Sequence, residues 1–182
     1  MSFIKTETII PDVQIFEPRV FEDARGFFLE NYNQRDLSEL GFNRSFVQHN
    51  QSRSTKGVLR GLHYQIQHSQ GKLLHVTHGA IYDVAVDIRR SSKTFGKYVG
   101  LELNDQNHRL FWVPEGFAHG FQVLSESADL AYMATDYYAP QFERSILWND
   151  EELAIDWPLD GEPVIAAKDA AGTRFRDAEV FD

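Results

Sequence analysis

Residues 72–88 read Lys-Leu-Leu-His-Val-Thr-His-Gly-Ala-Ile-Tyr-Asp-Val-Ala-Val-Asp-Ile. Gly79 divides them into two candidate strands, Lys72 to His78 and Ala80 to Ile88, because a glycine interrupts runs of β-branched and apolar residues. In the second segment Tyr82, Val84, Val86 and Ile88 fall on one face, with Ile81, Asp83, Ala85 and Asp87 on the other. The first face is apolar throughout and is expected to form the core.

Working outward, the same kind of segment recurs at Val13 to Phe16, Gly26 to Tyr32, Phe46 to Ser52 and Val58 to Gln65. It continues at Tyr98 to Leu103, Arg109 to Val113, His119 to Val123 and Asp129 to Thr135. Short strands at regular spacing predict an all-β fold, a sandwich or a barrel, and the expected architecture is a jelly-roll β-sandwich with a few short peripheral helices. One helix is convincing, Gln34 to Leu40: Asn33 caps its start, Leu37 and Leu40 share a face, and Gly41 ends it.

Beyond Pro140 the stretch Ser145 to Pro163 mixes Trp, acids and Pro and reads as loops with a short helical turn. With no linker or repeat, residues 1–182 are expected to form a single domain, the last thirty or so wrapping irregularly over it.

Composition removes several function classes. The chain has no cysteine, which excludes disulfides, thiolate zinc sites and cysteine nucleophiles. A net charge of −9 argues against nucleic acid, since a phosphate backbone needs clustered Lys and Arg. The N-terminus lacks a signal-peptide pattern and no run of about 18 apolar residues occurs, so the expectation is a cytoplasmic protein with no membrane contact.

In so acidic a chain, basic residues inside polar motifs carry information. The densest motif is Val58-Leu59-Arg60-Gly61-Leu62-His63-Tyr64-Gln65, followed by Gly71-Lys72. A strand histidine is largely neutral at pH 7 and can act as a base, although taken alone it is more often structural. Strict alternation puts Arg60 and His63 on opposite faces; a bulge at Gly61 would bring them to one site. In Trp112 to Phe121 a Pro-Gly turn leads into His119, flanked by small residues that allow close approach to its ring. Tyr132 lies on a candidate strand with Tyr137-Tyr138 beyond it, and packing is the ordinary role of such aromatics. Asp169, within Ala166 to Ala171, reads as a surface charge on its own.

These segments together resemble the dTDP-4-dehydrorhamnose 3,5-epimerases, metal-independent members of the cupin superfamily. The resemblance runs through Ile10 to Val13, Asp23 to Phe28, Val58 to His63, Tyr82 to Arg89, Pro114 to Phe121, Ser145 to Asp150 and Lys168 to Ala171. It implies that His63 is the base, paired with Asp169, that Tyr132 is the acid on the opposite face, and that Lys72 stabilises an oxyanion. It further implies that Arg25, Phe28, Glu30, Gln48, Asn50, Arg60, His119, Tyr138 and Lys168 line the substrate site. The implied substrate is a dTDP-4-keto-6-deoxyhexose. The implied assembly is a homodimer in which the N-terminal strand region around Arg25 to Glu30 crosses to the neighbouring subunit.

The chemistry fits this assignment. Protons at C3 and C5 flank a C4 ketone, so removing either leaves an enolate whose charge a fixed cation can stabilise, with no cofactor and no metal. A metal-binding cupin would need a compact His-x-His pair, and Gln65 stands where its second His would be. Two positions depart from the family's pattern: His75 replaces a common Arg and His49 a common Asp. Inversion at only one carbon, and a non-catalytic nucleotide-sugar-binding shell, remain as alternatives.

Overall fold

The computed structural model describes residues 2–182. Its strands are β1 (Phe3–Glu7), β2 (Gln14–Pro18), β3 (Val20–Asp23), β4 (Gly26–Leu29), β5 (Gln48–Thr55), β6 (Val58–Gln65) and β7 (Lys72–His78). They continue as β8 (Ala80–Asp87), β9 (Tyr98–Asn104), β10 (Leu110–Val113), β11 (Phe117–Val123), β12 (Ser127–Ala134), β13 (Glu143–Ser145) and β14 (Val164–Ile165). Two short helices, α1 (Gln34–Glu39) and α2 (Ala167–Ala170), lie outside the sheets.

Every expected strand is present in outline. The unexpected elements are β1, β3, β13, β14 and α2, which are short or exposed and carry no clear hydrophobic period. In α1 the Asn33 side chain accepts from the Asp36 backbone N–H at 3.3 Å, as expected of a cap, and Gly41 takes a left-handed φ of 81° just beyond the end.

One sheet has the order β1-β2-β10-β7-β12-β5 and the other β13-β6-β11-β8-β9, with β14 added parallel to β6. The hairpin of β3 and β4 stands apart. Leu74, Phe111, Val113 and Leu130 from the first sheet meet Ile81, Ala85, Val99, Phe121 and Val123 from the second. This is the interior of a jelly-roll sandwich.

Each sheet is also covered on its outer face. Leu37 of α1, with Phe3 and Phe42, covers Phe16, Leu73, Leu110 and Trp112 of the first sheet. Leu153, Trp157 and Phe175 of the C-terminal segment cover Leu59, Val84, Val86 and Ala118 of the second.

That second covering makes the apolar face of β8 part of a core, as expected, and the opposite face is buried too. Tyr82, Val84, Val86 and Ile88 lie under the C-terminal wrap, while Ile81 and Ala85 point between the sheets. The alternating face with the acids therefore looks inward, and Asp83 and Asp87 are fully buried. The apolar face is buried as well, because a third layer covers it.

The pairing of β6 with β11 contains the irregularity expected near Gly61. His119 stands opposite His63 and Phe121 opposite Arg60, so three steps along β6 match two along β11. Gly61 has a φ of 119°, and a Cβ there would lie 2.6 Å from the Gly120 Cα. A side chain at either position would force the strands apart exactly where the extra residue turns Arg60 toward His63.

Candidate active site

At one end of the sandwich the sheets separate around a chamber of about 740 Å³. Arg60, His63 and His119 enter it from β6 and β11, and Gln48, Asn50, Lys72 and Tyr132 from β5, β7 and β12 of the facing sheet. Tyr138, Glu143, Lys168 and Asp169 complete the lining from the C-terminal third of the chain.

Asp169 is not a surface charge. It sits in α2 with only 1% of its surface exposed, and its Oδ1 lies 2.6 Å from His63 Nε2. Its Oδ2 accepts from the backbone N–H of Gly61 at 3.2 Å, so one carboxylate fixes both the ring and the bulge. Burial acts to raise its pKa, but the bonds from His63 and Gly61 outweigh burial and hold it below the usual carboxylate value. An ionised carboxylate can only accept, so His63 carries its hydrogen on Nε2 and keeps Nδ1 free as a base.

On the facing wall, burial raises the Tyr132 phenol above its usual value, which keeps it protonated and able to donate. Lys72 enters from the adjacent strand, where it pairs in register with Ala134 of β12. Burial pushes its ammonium down to about 8, opposed by the negative charges of Asp83 and Glu143. A cation, a phenol and an oriented imidazole thus converge on one space from two sides.

The remaining polar groups are mutually organised. Arg60 Nε donates to Ser54 Oγ at 3.1 Å, and Gln48 Nε2 donates to Asn50 Oδ1 at 3.0 Å. The Tyr138 backbone N–H donates to Gln48 Oε1 at 2.9 Å, which ties the mouth of the chamber to β5. His119 Nε2 meets the buried Asp83 Oδ1 at 2.8 Å, a second histidine-carboxylate pair beside the first.

Arg25, Phe28 and Glu30 are not brought to this chamber within one chain. Arg25 pairs with Asp23 in the hairpin turn, Phe28 is 66% exposed beside a separate depression that includes His75, and Glu30 accepts from Asn33 at 3.3 Å. Conversely, Glu143 escaped the sequence reading. Its Oε1 accepts from Lys168 Nζ at 3.1 Å and its Oε2 from the Tyr138 hydroxyl at 3.2 Å. It lies in a stretch with loop composition, where no period marks an inward residue. Asp83 did carry a signal, as one of two acids, with Asp87, in a strand of mostly apolar residues.

The family described as dTDP-4-dehydrorhamnose 3,5-epimerase matches residues 7–177. The chain is 58% identical over 177 residues to the dTDP-4-dehydrorhamnose 3,5-epimerase of Pseudomonas aeruginosa, covering 97% of this chain and 98% of that protein. To the Escherichia coli enzyme of the same name it is 53% identical, covering 93% and 91% respectively.

Among solved structures, the dTDP-6-deoxy-D-glucose-3,5-epimerase of Legionella pneumophila in complex with dTDP-4-keto-L-rhamnose is similar, with a TM-score of 0.95 and 50% identity. That likeness covers 97% of this chain and 95% of the other. A 3'-monoepimerase of Streptomyces bikiniensis in complex with dTDP-quinovose has a TM-score of 0.88 at 30% identity, with 93% and 87% covered.

Proposed function

This chain belongs to the dTDP-4-dehydrorhamnose 3,5-epimerase family, and from that premise we propose that its chamber inverts C3 and C5 of dTDP-4-dehydro-6-deoxy-D-glucose, giving dTDP-4-dehydro-L-rhamnose for deoxysugar biosynthesis. The observation that carries the reading is the His63–Asp169 pair facing Tyr132 across the chamber, with Lys72 on the phenol's side.

In each inversion His63 Nδ1 takes the proton from the carbon beside the ketone, and the C–H electron pair moves into the C4 carbonyl. The resulting enolate oxygen is stabilised by the Lys72 ammonium. Tyr132 returns a proton to the other face of the same carbon, and its phenolate and the imidazolium are reset by exchange with solvent. Asp169 stabilises the imidazolium formed on the way, and the second carbon repeats the sequence.

Arg60 and Lys168 supply cationic contacts suited to the diphosphate, and Tyr138, half-exposed at the mouth, offers a face for the thymine ring. The missing Arg25, Phe28 and Glu30 are supplied by the β3–β4 hairpin of a second copy in a homodimer. Support comes from that hairpin's exposed Phe21, Phe27 and Phe28, an apolar surface that seeks a partner. Mixing inactive Arg25→Ala and His63→Ala proteins should restore up to about a quarter of wild-type sites through mixed dimers, and no recovery would remove the exchange. No helix among the described residues is long and apolar enough to cross a membrane, in keeping with action in the cytoplasm.

The test is incubation with dTDP-4-keto-6-deoxyglucose in deuterium oxide. Label should enter both C3 and C5. Label at one carbon only would assign the single-centre reaction of a monoepimerase, and label at neither would overturn the proposal.

A further inference from the structure

Gln65 has no part in the scheme above. It ends β6, two residues beyond His63, is only 4% exposed and lies outside the chamber lining. Its carboxamide reaches into the connection that follows β12. Nε2 donates to the Tyr137 carbonyl at 3.2 Å and to the His68 carbonyl at 2.7 Å, while Oε1 accepts from the Ala139 N–H at 2.8 Å. Carbonyls only accept and an N–H only donates, so the amide has one orientation and uses both its ends.

These bonds flank Tyr138. Residues 136–139 have left β12 and belong to no strand, so their backbone groups need partners from elsewhere. Gln65 holds a group on either side of Tyr138, and the Tyr138 N–H itself donates to Gln48 Oε1 at 2.9 Å. The far end of the ring is tied by its hydroxyl, which donates to Glu143 Oε2 at 3.2 Å. Glu143 stands opposite Gln65 in the pairing of β13 with β6. One cross-strand pair therefore grips a half-exposed tyrosine at both its backbone and its hydroxyl.

We infer that Gln65 is a positioning residue for nucleotide binding: it presets the backbone of residues 137–139 so that the Tyr138 ring stands at the chamber mouth before the ligand arrives. The inference rests on the reading of Tyr138 as the face for the thymine ring. So exposed a side chain has little packing to fix it, and an unheld segment would have to be ordered at each binding event, at a cost to affinity. Gln70 Nε2 donates to the Asp136 carbonyl at 2.7 Å, but this holds the segment two residues before Tyr138. Because β6 also carries His63, one element sets the distance between the nucleotide grip and the reacting carbons.

Gln65→Met keeps the length of the side chain and removes all three bonds. The affinity for dTDP, measured by calorimetry, should fall at least about tenfold, with a parallel rise in KM and a far smaller change in kcat. Tyr138→Ala should weaken dTDP as well, and in the double variant the two losses should fail to add, because Gln65 acts through that ring. A folded Gln65→Met with unaltered dTDP affinity, or losses that add, would overturn the inference. If Tyr138→Ala alone leaves dTDP binding intact, the thymine reading falls and takes this inference with it. A weakened Tyr138→Ala beside an unmoved Gln65→Met removes the inference alone.

If Gln65→Met does not fold, amide hydrogen exchange of the ligand-free wild type decides. The Ala139 N–H should exchange at least about a hundredfold more slowly than an unstructured amide. Exchange at the unstructured rate would mean that the segment is not preset and would overturn the inference. The affinity and exchange measurements need no turnover, so failure of deuterium to enter C3 and C5 would leave the inference standing.

Discussion

Asp169 Oδ1 accepts from His63 Nε2 at 2.6 Å although 106 positions separate the two residues. The same carboxylate reaches the Gly61 N–H, so the α2 turn, the β6 bulge and the base are one unit. Asp169→Asn should keep the shape but lose the charge that orients and stabilises the imidazolium. We expect kcat to fall by roughly a hundredfold or more, with dTDP affinity nearly unchanged by calorimetry.

Tyr132→Phe removes the proton donor and leaves the base. Solvent deuterium should still wash into the first carbon attacked while net inversion falls by at least about a hundredfold. Nuclear magnetic resonance of the sugar separates the two events, and parallel loss of both would reject Tyr132 as the acid.

Lys72 predicts opposite trends for activity and stability. Burial sets its folded pKa at about 8 against an ordinary 10.5, and the ammonium is the form that stabilises the enolate. Turnover should therefore decline as pH rises through about 8. Between about 8 and 10.5 the unfolded chain binds the extra proton, so this residue's contribution to stability rises with pH. Denaturation of wild type against Lys72→Met across that range checks the sign.

Gly61→Ala places a Cβ 2.6 Å from the Gly120 Cα and 2.7 Å from the His119 carbonyl oxygen, at a φ of 119°. Because the obstacles are backbone atoms, they cannot rotate away. Loss of at least ~2 kcal/mol in urea unfolding is expected, together with loss of activity as Arg60 and His63 leave their shared orientation.

Trp157→Ala probes the outer layer. The indole packs in the cluster that covers β8 and donates its N–H to the Trp148 carbonyl at 2.8 Å. A destabilisation of about 3–5 kcal/mol is expected. Loosening this layer should also lower kcat, because the segment that follows Trp157 carries Asp169.

What is local in this protein is legible in its sequence. Two-residue alternation located the strands from Val58 to Ala134, Asn33 and Gly41 marked the ends of α1, and Gly61 signalled the break in register. Each follows from the steric and hydrogen-bonding limits of a few adjacent residues. His63, Lys72 and Tyr132 lie on strands for the same reason, and the family resemblance supplied their roles.

What depends on the third dimension is different in kind. Alternation shows that the two faces of β8 differ, but only the tertiary structure shows that the apolar face lies under a third layer while Asp83 looks into the sandwich. Asp169 becomes a buried partner of His63 only because the C-terminal segment returns across β6, and Arg25, Phe28 and Glu30 stay outside the chamber of their own chain because the β3–β4 hairpin projects away from it. Periodicity records how a segment is divided between environments. Which segment provides each environment is decided by contacts between residues far apart in the chain, where no local preference acts.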